Sequence, residues 1–121
     1  MLDDERRESI LLSIKKLIGG LDSTSSEFDD DLVIFINSTF SVLNQLGVGP
    51  KKPFSISDEY AEWSEFECNN IEAVKEYMYL KVRLVFDPPS SGSVMDAFKR
   101  RADELEWRMN VMSEEATDGT E

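Results

Sequence analysis

IEAVKEYMYLKVRLVF, residues 71–86, and SVMDAFKRRADELEWRMNVM, residues 93–112, decide the fold of this 121-residue chain. Between them lies Asp87-Pro88-Pro89-Ser90-Ser91-Gly92. Proline lacks an amide donor and the residue before it avoids helical angles, so one helix must end there and another begin. Ile71 to Phe86 is apolar over most of its circumference. Val74, Tyr77, Met78, Leu80, Leu84 and Val85 leave only Glu72, Glu76, Tyr79 and Arg83 as a narrow polar strip, the pattern of a helix at the centre of a bundle. In the second stretch, Ser91 or Ser93 serves as N-cap, and Val94, Phe98, Ala102, Leu105, Met109 and Met112 recur at helical spacing to close the core. About half a turn away stand Arg100, Trp107 and Val111. A surface helix needs one apolar stripe to dock on its own core, so the second face calls for a partner chain, and these three residues are candidate interface residues.

The N-terminal side reads as two further helices. Ile10, Ile14, Leu17 and Leu21 recur at helical spacing in a segment from about Asp3 to Ile18, with Asp3, Asp4 and Glu5 at its positive end and Gly19-Gly20 as its stop. The polar stretch Leu21 to Glu27 is a connection. From Asp29 an acidic N-cap cluster precedes Leu32, Phe35, Ile36, Thr39, Leu43 and Leu46, with Val33 and Phe40 widening the stripe and Ile34 the one apolar residue on the opposite face. Gly47-Val48-Gly49-Pro50 ends that helix. In Lys51 to Ser57, Phe54 and Ile56 alternate with serines, which predicts a short extended arm near residues 48–57 and makes both residues candidate interface contacts. Asp58 to Glu67 sets Tyr60, Trp63 and Phe66 three apart, predicting a short helix with an aromatic side that is more often core than interface, and Asn69-Asn70 marks a turn. Ser113 to Glu121 has no periodicity and reads as a flexible acidic tail.

The net charge of −12 resides in segments flanking the helices. Glu27, Asp29, Asp30 and Asp31 form one cluster, five carboxylates between Asp58 and Glu67 a second, and the tail a third, whereas the last helix pair is neutral. Affinity for DNA rests largely on Lys and Arg displacing counterions, so this balance argues against DNA binding. The lone Cys68 excludes an intramolecular disulfide and fits a reducing compartment, and a chain without histidine has few ligands for zinc. The charged start MLDDERRESI is unlike a secretory signal, and no apolar run approaches the roughly 20 residues that span a bilayer, so a soluble protein without membrane contact is expected.

Chemistry-bearing readings fare poorly. Consecutive acids at Asp29-Asp30-Asp31 are a cap and dipole complement more readily than a cation site, because they lack the spacing and glycine of a calcium loop. Cys68 has no histidine to act as base, and its acidic neighbours disfavour the thiolate. Lys99, Arg100 and Arg101 are better paired with Asp96, Asp103 and Glu104, or across subunits, than with phosphate. Neither a catalytic residue, a metal site nor a cofactor is expected, and the chain does not read as an enzyme.

Several stretches also resemble a known family. Asp30-Asp31-Leu32, Ile36-Asn37-Ser38, Leu43-Asn44-Gln45-Leu46-Gly47-Val48-Gly49, Val74-Lys75-Glu76-Tyr77, Leu80-Lys81-Val82-Arg83-Leu84, Phe86-Asp87-Pro88-Pro89 and Glu104-Leu105-Glu106-Trp107-Arg108 resemble, in this order, the head-tail connector or adaptor proteins of long-tailed bacteriophages. The likeness covers about Asp29 to Met112. It implies a non-enzymatic virion protein of the neck that forms a ring, dodecameric by analogy, beneath the portal protein. Such a ring joins portal to a neck stopper or tail-completion protein, and phage DNA passes through it without specific binding. By position, Ser93 to Glu121 would engage the portal and Val48 to Ser57 would be the arm. Host cytoplasm during assembly and the virion afterwards are the implied locations.

The expectation is therefore an all-α bundle of four to five helices with a short extended arm or hairpin, one connector domain over residues 1–112, and a tail over residues 113–121. The rival from another class is an acidic DNA-mimic inhibitor of a DNA-binding host enzyme. Clustering of the acids and neutrality of the last two helices weigh against it.

Overall fold

A computed structural model describes residues 8–19 and 26–119. It contains four α-helices, α1 (Ile10–Ile18), α2 (Asp29–Gln45), α3 (Ile71–Phe86) and α4 (Gly92–Gly119), with one 3-10 turn at Trp63–Glu65 and no strand among the described residues. The all-α bundle expected from the periodicities is what forms.

α3 packs against each of the other three helices. Its start is fixed by Asn70, whose side chain accepts a hydrogen bond from the Ala73 amide, and its end by Asp87, whose amide donates to Arg83 O before the two prolines. Val74, Met78 and Val82, all fully buried, line one side. Glu76, Tyr77 and Tyr79 reach α4 from the opposite half, as their spacing of about 100° per residue dictates. Val85, counted from sequence in the apolar circumference, is exposed, because it lies in the last turn where the bundle ends. Phe86, one residue on, stacks edge-on with Phe28 and Phe35 of the α2 start. α2 and α4 therefore both run antiparallel to α3, and parallel to each other.

α2 buries Leu32, Ile36, Thr39, Phe40 and Leu43. Its acids lie in the first turn, where they complement the dipole, but no side chain caps the helix: Phe28 holds that position. The C-terminus closes on Gly47, with the Val48 amide donating to Leu43 O at 2.9 Å and the Gly47 amide to Asn44 O at 3.0 Å. Gly47 takes φ +81°, a conformation that side chains disfavour. Gly49 (φ +96°) goes further, because a Cβ there would overlap the Phe66 ring.

Two expectations fail for identifiable reasons. α1 begins at Ile10, and Glu8 and Ser9 are not helical, which interrupts the helix expected from about Asp3 to Ile18; residues 1–7 and 20–25, on which the rest of that expectation and Leu21 fall, lie outside the described residues. Ser9 is extended and caps the helix through the Leu12 amide, while the Ile10 amide donates to Ala61 O and the Trp63 amide to Glu8 O. The α1 stripe is also rotated: Leu11 and Ile18 are buried and Leu17 is exposed. The same backbone pairing prevents a helix over Asp58 to Glu67, because Ala61 O and Trp63 N–H are already used between segments, leaving only the 3-10 turn. Trp63 and Phe66 join the core, but Tyr60 is 77% exposed. Helical backbone also continues to Gly119, into the segment that shows no periodicity.

Two polar contacts invisible to periodicity join the layers. Lys15 is buried and its Nζ lies 2.8 Å from Asp29 Oδ1, tying the last turn of α1 to the first turn of α2, where the two dipole ends favour these charges. Trp63 Nε1 donates to Ser13 Oγ at 2.8 Å.

Candidate functional site

The 28 residues of α4 make a helix about 42 Å long at 1.5 Å per residue, against about 24 Å for α3. Among its described side chains only Ala102, Leu105 and Met109 are buried, so the bundle grips α4 by its middle. Val94 and Met112, the ends of the expected core stripe, are both exposed; at Met112 the helix has outrun α3, on which it docks.

The grip is polar at its edges. Arg101 bonds both oxygens of Glu76, at 2.6 Å from Nε and 2.9 Å from Nη2, and reaches Glu104 within its own helix. Its guanidinium holds the Glu76 carboxyl below the ordinary carboxylate value, and Glu76 raises Arg101 in return. Tyr77 Oη donates to Glu106 at 2.8 Å, and burial, followed by that carboxylate, pushes the phenol far above its ordinary value. Arg83 stacks over the Phe98 ring and bonds Tyr79 and Asp87, holding the turn before α4. At the other end Asn110 Nδ2 donates to Leu46 O at 3.3 Å and Ser113 Oγ to Gly47 O at 2.8 Å.

On the far side of α4, Trp107 is 68% exposed and Arg100 is exposed, with no ion pair among the described residues; Val111 is half-buried. These three share a face, as their spacing requires. Of the neighbouring cations, Arg101 and Arg108 both pair with Glu104, and Lys99 lies about a quarter turn off this face. Arg100 is thus the cation of this face left available to a partner.

The other two candidates pack within the subunit, Ile56 wholly and Phe54 in part. Ile56 is buried, and its backbone exchanges two hydrogen bonds with the Asn37 side chain, at 2.7 and 2.9 Å. Phe54 packs at 4.9 Å from Phe40 and 5.3 Å from Phe66. The segment forms no strand and lies along α2, held by the Asn37 and Asn44 side chains. Sequence alternation could not say which surface the Phe54 and Ile56 side chains would meet.

An open groove of about 800 Å³ lies between the Gly47–Lys51 loop, the Glu67–Asn70 turn and Met109, Met112 and Ser113 of α4. Cys68 lines it, with burial raising the thiol above its ordinary value of 9.0 and the thiolate correspondingly disfavoured. Among the described residues no group of three or more His, Cys, Asp or Glu side chains is placed to hold a metal ion, and no helix is long and apolar enough to cross a membrane.

What this geometry offers is therefore an exposed helix face on a polar-edged scaffold. Comparison with protein families matches residues 10–116 to the model described as phage connector protein. The chain belongs to the phage connector protein family. The matched region takes in all of α1, α2 and α3 and most of α4. Comparison with curated proteins and with solved structures gives no match. Membership makes the protein a structural head-tail connector of the phage neck, associated with portal and head-tail components. The QLGVG and FDPP segments that support the resemblance now have physical roles: the first closes α2 and seats Phe66 on Gly49, and the second ends α3 with Phe86 against α2.

Proposed function

We propose that copies of this chain join side by side into a ring beneath the portal, dodecameric by analogy with the family, and that α4 with its C-terminal extension engages the portal while the opposite rim meets a neck stopper or tail-completion protein. One observation carries the reading. α4 has a complete buried stripe of Ala102, Leu105 and Met109, and a second face bearing Trp107, the most exposed tryptophan of the chain, with Arg100 one heptad earlier. A large aromatic beside an arginine on an exposed helix is the composition of an interface centre and not of a solvated face. A head-to-tail ring satisfies such a face on every copy and leaves none open. The acidic excess suits a wall along which DNA slides, because carboxylates repel phosphates and leave no counterions to be displaced.

The test is co-sedimentation of the purified protein with isolated portal rings. The expected result is saturable binding at a fixed ratio of copies per portal ring, weakened in Trp107→Ala. A protein that stays in the supernatant at every concentration contradicts the connector ring.

A further inference from the structure

Resting on that reading, we infer that the ring contact is made by the α4 face bearing Arg100 and Trp107 against the exposed α2 face of the next copy, with Arg100 reaching the carboxylates of Asp30 and Asp31.

The α2 face is set by its own register. Leu32, Ile36, Phe40 and Leu43 turn inward, and the opposite side presents Asp31, Ile34, Ser38, Ser41 and Gln45, all exposed, with Ile34 at 62%. Asp30 is exposed beside Asp31, and neither has an ion pair among the described residues, whereas Asp29 is taken by Lys15. An isolated aliphatic side chain on a row of small polar ones, under two unpaired carboxylates, complements a face carrying an indole and an unpaired guanidinium.

The two faces are different surfaces of one subunit, each opposite its own helix's buried stripe, so they can meet between neighbours head to tail, whereas a twofold contact would set a face against its own copy. The helices are parallel within the subunit, and rotation about an axis along them keeps them parallel between neighbours.

Height is fixed as well. Asn110 and Ser113 bond Leu46 O and Gly47 O, so a position on α4 lies level with one about 65 residues earlier on α2. Trp107 then stands near the height of Val42 and Arg100 near that of Phe35. Helical side chains lean toward the N-terminus of their helix, which carries the indole over Ser38 and Ser41. The guanidinium has to descend about 6 Å, four residues of rise, to reach Asp31, within the length of an arginine. Asp96, exposed on the same α4 face one turn below Arg100, would otherwise meet Asp31 with like charge. Arg100 thus separates two acidic helix starts.

Charge reversal tests the pairing, read as the protein concentration at half-maximal co-sedimentation on portal rings and the mass of the released oligomer. Arg100→Glu alone and the double variant Asp30→Lys with Asp31→Lys are each expected to raise that concentration about tenfold or more, and the triple variant to restore most of the loss. A second measurement uses cysteines at Ser38 and Asp103, exposed and level with each other by the same offset, in a Cys68→Ser background that keeps Trp107. Oxidation should give a ladder of multimers only when both cysteines are on one chain, because a head-to-tail contact never brings a residue against its own copy. Wild-type rings with no rescue and no ladder overturn this contact while the ring stands. Dimers from either single cysteine show a twofold contact and also overturn it. A wild type that neither oligomerises nor binds portal sinks the ring reading and this contact together.

Discussion

The two faces of α4 differ in what surrounds them, not in how they are built. Both are helical stripes with an apolar centre and an arginine nearby. On the inner face Leu105 is buried between Ala102 and Met109, and Arg101 forks onto Glu76 of α3. On the outer face Trp107 has nothing over it and Arg100 has no carboxylate. The comparison teaches that side-chain size does not identify core in an assembly part: the largest residue of this helix belongs to the face the fold does not use.

Mutations separate the two faces by their effect on stability. Leu105→Ala deletes buried volume and is expected to cost about 2–5 kcal/mol in denaturant unfolding. A near-neutral result would mean that the stripes are exchanged. Gly49→Ala forces a side chain into positive φ and onto Phe66, and should cost about 1–3 kcal/mol by the same assay, reaching α4 through the loop that Ser113 anchors. Asp29→Asn leaves the buried Lys15 ammonium short of its carboxylate and should cost about 1–3 kcal/mol, with loosening of α1 visible as faster amide exchange.

The edge of the inner face has a pH signature. Glu76 has a folded-state value below its ordinary 4.5, so its contribution is complete above that value and is lost as pH falls through the lower folded one. Wild type should exceed Glu76→Gln in stability at neutral pH, and the gap should close on acidification below about pH 4, a small effect for so exposed a pair. A gap that widened toward acid would show that the carboxyl is not stabilised by Arg101. The smallest effect belongs to the largest side chain: Trp107→Ala should change monomer stability by no more than about 0.5 kcal/mol.

Much of this contrast was legible in the sequence because helical period and proline punctuation are local signals. The bounds of α3, its central position, and the opposed stripes of α4 all follow from side-chain spacing. What was not legible depends on distant backbone. The helix expected over Asp58 to Glu67 yields to pairing of Glu8 and Ile10 with Trp63 and Ala61, more than fifty residues apart, and the same contact places the start of α1 at Ile10. Phe54 and Ile56 were expected at an interface because an alternating segment reads the same whether it projects or folds back. Asn37, which holds Ile56, gives no sign of that partnership in the sequence. Arg100, Trp107 and Val111 lie together on the outer face as their spacing predicts, and the interface role proposed for them awaits experiment.

The decisive measurement is the mass of wild type and Trp107→Ala, each alone and with portal rings, by size-exclusion chromatography with light scattering. If one helix divides folding from assembly, wild type forms a ring or co-elutes with portal, and Trp107→Ala elutes as a folded monomer with that association reduced. A Trp107→Ala protein that unfolds, or one that assembles as wild type does, contradicts the division, and a wild-type monomer indifferent to portal returns weight to an inhibitor of DNA-binding enzymes.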